Sequence, residues 1–164
     1  TRSLALAALP LGLLLSSTGA LAQAEDLAIP LTSCTPNTSN SLGKVVMNAA
    51  QGYVRANNAT AGTVIYTCNL LDSYVNIVPL WTRIGLQYRD ATGGRINFTL
   101  YAKNKLTGVS GVVATFVPPA SVPLNNVSVP IPVLNYAANS YYAVVRILSD
   151  AVQPPEAHLV RVEQ

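Results

Sequence analysis

Hydrophobic and polar residues alternate along much of this chain with a period of two, the spacing of a β-strand that buries one face. In residues 83–89 arginine, glycine and glutamine alternate with an apolar set, Ile84, Leu86 and Tyr88. Residues 90–94 (DATGG) have the composition of a turn, and the alternation resumes in residues 95–103. Two alternating runs joined by a short glycine-rich loop predict a β-hairpin.

Nine further runs have the length and composition of strands, at residues 27–31, 44–48, 52–56, 63–68, 74–78, 112–117, 126–132, 141–148 and 158–163. Prolines crowd residues 118–132, which predicts an extended crossover with an edge strand, since proline cannot donate to a sheet ladder. The pattern as a whole predicts an all-β fold: an antiparallel β-sandwich, jelly-roll-like, of eight to ten strands.

The first 24 residues have the pattern of a secretory signal peptide. Arg2 precedes an apolar run, Leu4–Leu15, and two overlapping small-x-small sites end at Ala22 and Ala24. The apolar run is shorter than the roughly 20 residues that span a bilayer, which disfavours a membrane anchor. We therefore expect residues 1–24 to be removed, residues 25–164 to form a single β-sandwich domain, and the protein to be exported to a periplasmic or extracellular location.

The low content of charged residues excludes one class of partner. Charged residues make up 10% of the chain, where about 25% is typical. The net charge of +3 reflects few acids rather than many bases, and only Lys44, Lys103 and Lys105 are lysines. Binding to nucleic acid needs a dense basic face that releases counterions, so no nucleic-acid partner is expected. No membrane span is expected in the mature chain.

The chain contains two cysteines, Cys34 and Cys68. In an exported protein such an isolated pair predicts a disulfide bond. The ring would hold about 35 residues, for which loop entropy gives roughly 3–4 kcal/mol of stabilisation. A redox role is disfavoured because the chain has no C-x-x-C motif, and a zinc site would need three or four ligands.

No residue pattern in the sequence indicates catalysis. His158 is the one histidine, and strand alternation places it on the same face as Val160 and Val162, half-buried near an edge. A G-x-S-x-G nucleophile motif is absent. Three aspartates adjoin turn residues, where backbone hydrogen bonding is their usual role: Asp72, Asp90 and Asp150. We expect a protein that is not an enzyme and has no catalytic residue, metal site or cofactor.

Aromatic residues are the remaining candidates for ligand binding, because rings exposed on a rigid β-sheet can stack on sugar rings. Tyr66 and Tyr88 follow apolar faces and are expected in the core. The more exposed set, with ordinary cross-strand packing as the alternative for each, is Trp81, Tyr74, Tyr101 and Tyr142. Three coplanar aromatic rings on one exposed face would favour sugar binding, whereas burial of Trp81 would favour a structural role.

Four N-x-S/T sequons begin at Asn37, Asn58, Asn97 and Asn126. This number is not far above what a chain so rich in Asn, Ser and Thr contains by chance. Their glycosylation would depend on a eukaryotic source, and the signal peptide is of bacterial type.

Several short motifs occur in order along the chain. They are a cysteine in residues 32–36, a Gly-x-Val-x-Tyr-x-Cys-x-Leu-like run in residues 62–70, Tyr88-Arg89-Asp90, and a final stretch with Tyr141-Tyr142, Pro154-Pro155 and His158–Glu163. This layout resembles a loose group of small exported bacterial proteins of unknown function. The resemblance implies a β-sandwich and export, and no activity. Members of the group often carry extra cysteines on two strands where this chain has Phe98, Leu100 and Val145.

The leading functional hypothesis is a secreted or periplasmic, non-enzymatic structural or interaction protein whose partner is a cell-surface protein or a glycan. The alternative is a carbohydrate-binding module that uses Trp81 and exposed tyrosines. A third hypothesis is a small outer-membrane β-barrel, although strands of five to seven residues interrupted by prolines are shorter than the roughly ten residues that such barrels need.

Overall fold

A computed structural model describes residues 26–37, 45–57, 62–70, 80–149 and 153–164 of the chain. The predicted signal peptide, Tyr74 with its predicted strand, and Asn58 lie outside the described residues. The described residues form strands and one short 3-10 turn, Leu31–Ser33. None of them forms a helix long and apolar enough to cross a bilayer.

The described strands form two separate antiparallel sheets. The first sheet has six strands: β1 (Leu27–Pro30), β3 (Val45–Asn48), β4 (Tyr53–Ala56), β6 (Arg83–Asp90), β9 (Ser121–Pro130) and β11 (Glu156–Glu163). The second sheet has five: β2 (Thr35–Pro36), β5 (Gly62–Asn69), β7 (Ile96–Asn104), β8 (Ser110–Phe116) and β10 (Asn139–Ser149). The antiparallel β-sandwich expected from the alternation is confirmed. The described residues form eleven strands instead of the eight to ten expected, and the two-residue strand β2 was not among the predicted runs.

Strand order explains how the core is enclosed. In the first sheet β11 pairs with β6 along one edge, and its other edge is shared by β4 near its start and β1 further along. β9 lies beyond β6. The second sheet has the order β2-β5-β10-β7-β8. Alternate residues of the central strands point inward, and the largest fully buried side chains include Tyr66, Tyr88, Phe98, Leu86 and Ile147. The prediction that Tyr66 and Tyr88 belong to the core is therefore confirmed.

The predicted hairpin over residues 83–103 is wrong in its pairing, although both strands form where the alternation places them. β6 belongs to the first sheet and β7 to the second, so residues 91–95 cross from one sheet to the other. The apolar sets of the two strands therefore belong to the inner faces of different sheets, where each side chain is buried, instead of lying side by side in one sheet. Alternation indicates which face of a strand is buried, and it does not specify the strand that pairs with it.

A buried ion pair closes this crossing. The Asp90 carboxylate accepts hydrogen bonds from the backbone N–H of Arg95 at 3.0 Å and from its Nε at 2.9 Å. Arg95, which the alternation assigns to the polar face, is buried together with Asp90. Gly93 and Gly94 have φ angles of 72° and 74°, which favour glycine. The turn role expected for Asp90 is thus confirmed, and Arg95 is its partner.

His158 does not lie where the sequence pattern places it, because β11 contains a β-bulge at this residue. The register of β11 against β6 shifts between Ala157 and Leu159, so that His158 is the extra residue. Ala157 and Val160 both point into the core, and His158 and Leu159 are both only half-buried. The prediction that His158 shares a face with Val160 is therefore wrong, because the bulge moves the histidine to the outer side of the sheet.

Candidate functional site

Cys34 and Cys68 form the predicted disulfide bond. Their Cα atoms are 4.6 Å apart, and both side chains are buried. Cys34 follows the 3-10 turn and leads into β2, whose two residues pair with β5 next to Cys68. The bond therefore ties the segment that crosses from the first sheet to the second. Disulfide bonds of this kind are typical of exported proteins.

Trp81 is not available for stacking on a ligand, because it is only 2% exposed. Its indole packs edge-on against the ring of Tyr136, with centroids 6.0 Å apart, and Tyr136 packs in the same way on Tyr141. Tyr136 belongs to the segment after β9, in which Ile131 and Leu134 are also buried. The expectation that Trp81 is exposed is wrong, because the proline-rich segment after β9 folds over it.

Tyr101 and Tyr142, the tyrosine pair, lie together on the outer face of the second sheet. They are directly opposite each other on β7 and β10, and their rings are nearly parallel, with centroids 5.2 Å apart and planes 13° apart. Both side chains are half-buried, and their neighbours along each strand, Leu100 and Ala143, point into the core. Two of the four predicted stacking residues are thus brought together on one surface.

Polar groups adjoin the tyrosine pair. The Tyr142 hydroxyl donates to Ser110 Oγ at 3.2 Å, which links β10 to β8 across β7. Lys103 follows Tyr101 on the same face of β7, lies opposite Ser110 and Ser140, and is exposed. Beside these residues an open cleft of about 550 Å³ extends to the β7–β8 turn, with Asn104, Thr107 and Gly108 in its lining. Hydroxyl, amide and ammonium groups therefore border two aromatic rings.

A row of charged residues crosses the outer face of the first sheet. Arg55 on β4, Glu156 on β11 and Arg89 on β6 are direct cross-strand neighbours. Glu156 Oε2 is 3.2 Å from an Arg89 terminal nitrogen and 3.5 Å from His158 Nε2. The ring of His158 also packs on Tyr53, with centroids 5.4 Å apart. Burial lowers the pKa of His158 below 6.5, the charge of Arg89 acts in the same direction, and contact with Glu156 opposes them.

The sequence does not predict that these three charged residues lie side by side, although Arg89 and Glu156 are recognisable in it as polar positions. The three residues are contributed by strands that are far apart in the chain, and cross-strand neighbours become evident only when strand order and register are known. Arg55 also belongs to a run of four residues that is too short for its alternation to stand out.

Among the described residues, no group of three or more His, Cys, Asp or Glu side chains could hold a metal ion. Three sequon asparagines are described: Asn37 and Asn126 are exposed, and Asn97 is half-buried on the outer face of β7.

Comparison with solved structures shows what the fold resembles. A carbohydrate-binding module, CBM6cm-2, from Cellvibrio mixtus lichenase 5A, in complex with cellotriose, has 11% sequence identity and a TM-score of 0.50. The match covers 84% of this chain and 96% of that chain. The family 32 module from C. perfringens NanJ, in complex with galactose, has 13% identity, covers 84% and 98%, and has a TM-score of 0.46. The family 11 module from Clostridium thermocellum, in complex with a mixed-linked tetrasaccharide, has 12% identity, covers 90% and 92%, and has a TM-score of 0.41.

At this level of identity the likeness to the Cellvibrio mixtus module concerns the fold. No family model matches the chain, and no relative is found among curated protein sequences. The chain is thus a β-sandwich whose fold is similar to that of the Cellvibrio mixtus module. The fold alone does not identify a ligand, because one fold can host many unrelated sites. The ligand depends on the residues of this chain.

Proposed function

We propose that this chain is a non-enzymatic, exported glycan-binding module and that the tyrosine pair is its contact surface. The observation that carries the proposal is the placement of two nearly parallel tyrosine rings, 5.2 Å apart, on the outer face of a rigid sheet. The burial of Trp81 favours the alternative, a structural or interaction role without a glycan, and the experiment separates the two roles.

The chemistry around the tyrosine pair suits a sugar. Aromatic rings offer an apolar surface to the C–H faces of a pyranose, and a phenol adds a polar handle. Specific binding also needs a few polar groups beside the apolar surface, and Lys103, Ser110 and Ser140 supply ammonium and hydroxyl groups next to the rings. The likeness to a module that binds cellotriose supports only the suitability of the fold.

Export is the second part of the proposal. The predicted signal peptide and the Cys34–Cys68 disulfide both support an oxidising compartment outside the cytoplasm, periplasmic or extracellular, where glycans of cell surfaces are accessible.

The proposal is tested by screening the purified protein on a glycan array and measuring the dissociation constant of the best ligand by calorimetry. Truncating an aromatic anchor costs about 2 kcal/mol, so Tyr101→Ala should weaken binding roughly 30-fold. The matched control is Tyr53→Ala, because Tyr53 is also half-buried and lies on the outer face of the other sheet. Thermal melts of each variant check that it is folded.

Two results would contradict the proposal. The first is that no glycan binds, which would leave the structural or interaction role. The second is that a glycan binds with the same affinity to the Tyr101→Ala variant and to the unchanged protein.

A further inference from the structure

A second recess, the arginine cleft, lies at the end of the first sheet where β6 ends and β11 begins. Its volume is about 590 Å³, within the range of small-molecule sites. The residues that matter to its chemistry are Arg55, Arg89, Glu156, Gln153, Val122 and Pro154. It is separate from the tyrosine pair, which lies on the other sheet and towards the far end of β7.

Arg55 is the distinctive group in this cleft. Its Nε is buried, and no acceptor for it is found within the part of the chain that the structure describes. Although Glu156 is its direct cross-strand neighbour, the ion pair of Glu156 is with Arg89. A buried N–H without an acceptor is destabilising. Because this Nε is closed to solvent, a ligand in the cleft would contact the Arg55 guanidinium through its terminal nitrogens.

The charges of the cleft select the type of acceptor. Two guanidinium groups, of Arg55 and Arg89, face one carboxylate, that of Glu156, which leaves one positive charge in excess. The two terminal nitrogens of a guanidinium form a planar fork that matches the two oxygens of a carboxylate. One excess charge balances a monoanion better than a doubly charged phosphate.

The remaining lining limits the size and type of the ligand. Val122 and Pro154 provide apolar surface, and the Gln153 amide can both donate and accept hydrogen bonds. Such a lining fits a small organic molecule with an apolar body and hydroxyl groups better than a bare inorganic ion.

We propose that the arginine cleft binds the carboxylate of a small organic acid, with the Arg55 guanidinium as its principal partner. Arg89 contributes a second positive charge, and Glu156 limits affinity by repelling the anion. This site goes beyond the glycan contact at the tyrosine pair and does not depend on it.

The test follows the Arg Nε–H signals by NMR during titration with glucuronate, with glucose as the neutral sugar of the same size and inorganic phosphate as the other anion. Glucuronate should shift the Arg55 Nε–H signal to saturation, and glucose should leave it unmoved. Arg55→Gln should weaken glucuronate binding at least about tenfold, since it removes charged hydrogen bonds. The charge-matched control is Arg146→Gln, an exposed arginine on the second sheet, which should leave the affinity unchanged.

Glu156→Gln separates ligand binding from a structural role of the row. If Glu156 repels the ligand, this variant should bind glucuronate more tightly than the unchanged protein. If the charged row only supports the fold, the variant should bind glucuronate more weakly than the unchanged protein. The proposal is overturned if glucose shifts Arg55 as glucuronate does, if phosphate binds more tightly than glucuronate, or if Arg55→Gln leaves binding intact. Tyr101→Ala should not affect the titration, so failure here and failure of the glycan proposal are distinguishable.

Discussion

His158 lies in a polar environment on the outer side of the first sheet, between the carboxylate of Glu156 and the ring of Tyr53. Arg89 faces it from β6 by way of the shared carboxylate. The three neighbours belong to three different strands, so the imidazole reports on how β4, β11 and β6 are packed. Burial favours its neutral form and lowers its pKa.

This lowered pKa predicts that acid destabilises the fold. An unfolded His158 takes up its proton near pH 6.5, and the folded protein takes it up only at lower pH. Below pH 6.5 the unfolded state therefore binds more protons, and the free energy of unfolding falls as the pH falls. Urea unfolding at pH 7.5 and pH 5.5 should show a smaller decrease for His158→Gln than for the unchanged protein. Equal decreases in the two proteins would contradict this assignment.

Individual aromatic residues show what a sequence reveals about a side chain. Tyr66 and Tyr88 could be assigned to the core because each follows the apolar face of a long alternating strand, and both are buried. Trp81 stands just before β6, outside any alternating run, and its ring packs on Tyr136, some fifty residues away in the chain. Contacts between residues so far apart along the chain leave no pattern in the local sequence.

At the level of strands, the alternation of apolar and polar residues predicted where strands begin and end, but it did not predict which strands pair with each other. β6 spans Arg83–Asp90 where residues 83–89 were expected, because its inner and outer faces differ sharply in polarity. β9 is the edge strand expected from the prolines, although it begins at Ser121 instead of residue 126. Pro123 is accommodated where the register against β6 shifts, between Ser121 and Asn125. The pairing of β6 with β9 and β11 followed from no local signal, since it depends on the whole core.

The close approach of β9 to β6 predicts that Gly85 tolerates no side chain. A Cβ at Gly85 would overlap the Val127 carbonyl oxygen and lie 2.8 Å from the Cβ of Ser128. Gly85→Ala should therefore lower the free energy of unfolding by about 1–3 kcal/mol, the usual cost of overpacking. Gly111→Ala on β8 is the control, because nothing lies within 4 Å of a Cβ there, and its effect should stay within about 0.5 kcal/mol. Urea unfolding measures both, and equal effects would refute the steric explanation.

On the scale of the whole molecule, the sandwich depends on segments that pass between its two sheets. Residues 91–95 make one crossing, which the Asp90–Arg95 pair closes. The N-terminal segment makes another, from β1 in the first sheet through the 3-10 turn to β2 in the second. The sheet pairing that holds this second crossing is short, since β1 has four residues and β2 has two. Its covalent attachment to β5 is therefore of particular importance.

Removing the disulfide should destabilise the protein by about 3–4 kcal/mol, the loop-entropy value for a separation of 34 residues. We expect the double variant Cys34→Ala/Cys68→Ala to unfold at a lower urea concentration than the oxidised protein. Because the two-residue pairing of β2 with β5 depends on this attachment, exchange of the Asn37 amide, which donates to the Ile65 carbonyl of β5, should accelerate more than exchange of the amides in β7. Adding a thiol reductant should shift the unchanged protein towards the stability of the variant and leave the variant itself unaffected. Unchanged stability after reduction would mean that β1 and β2 hold the crossing without the bond.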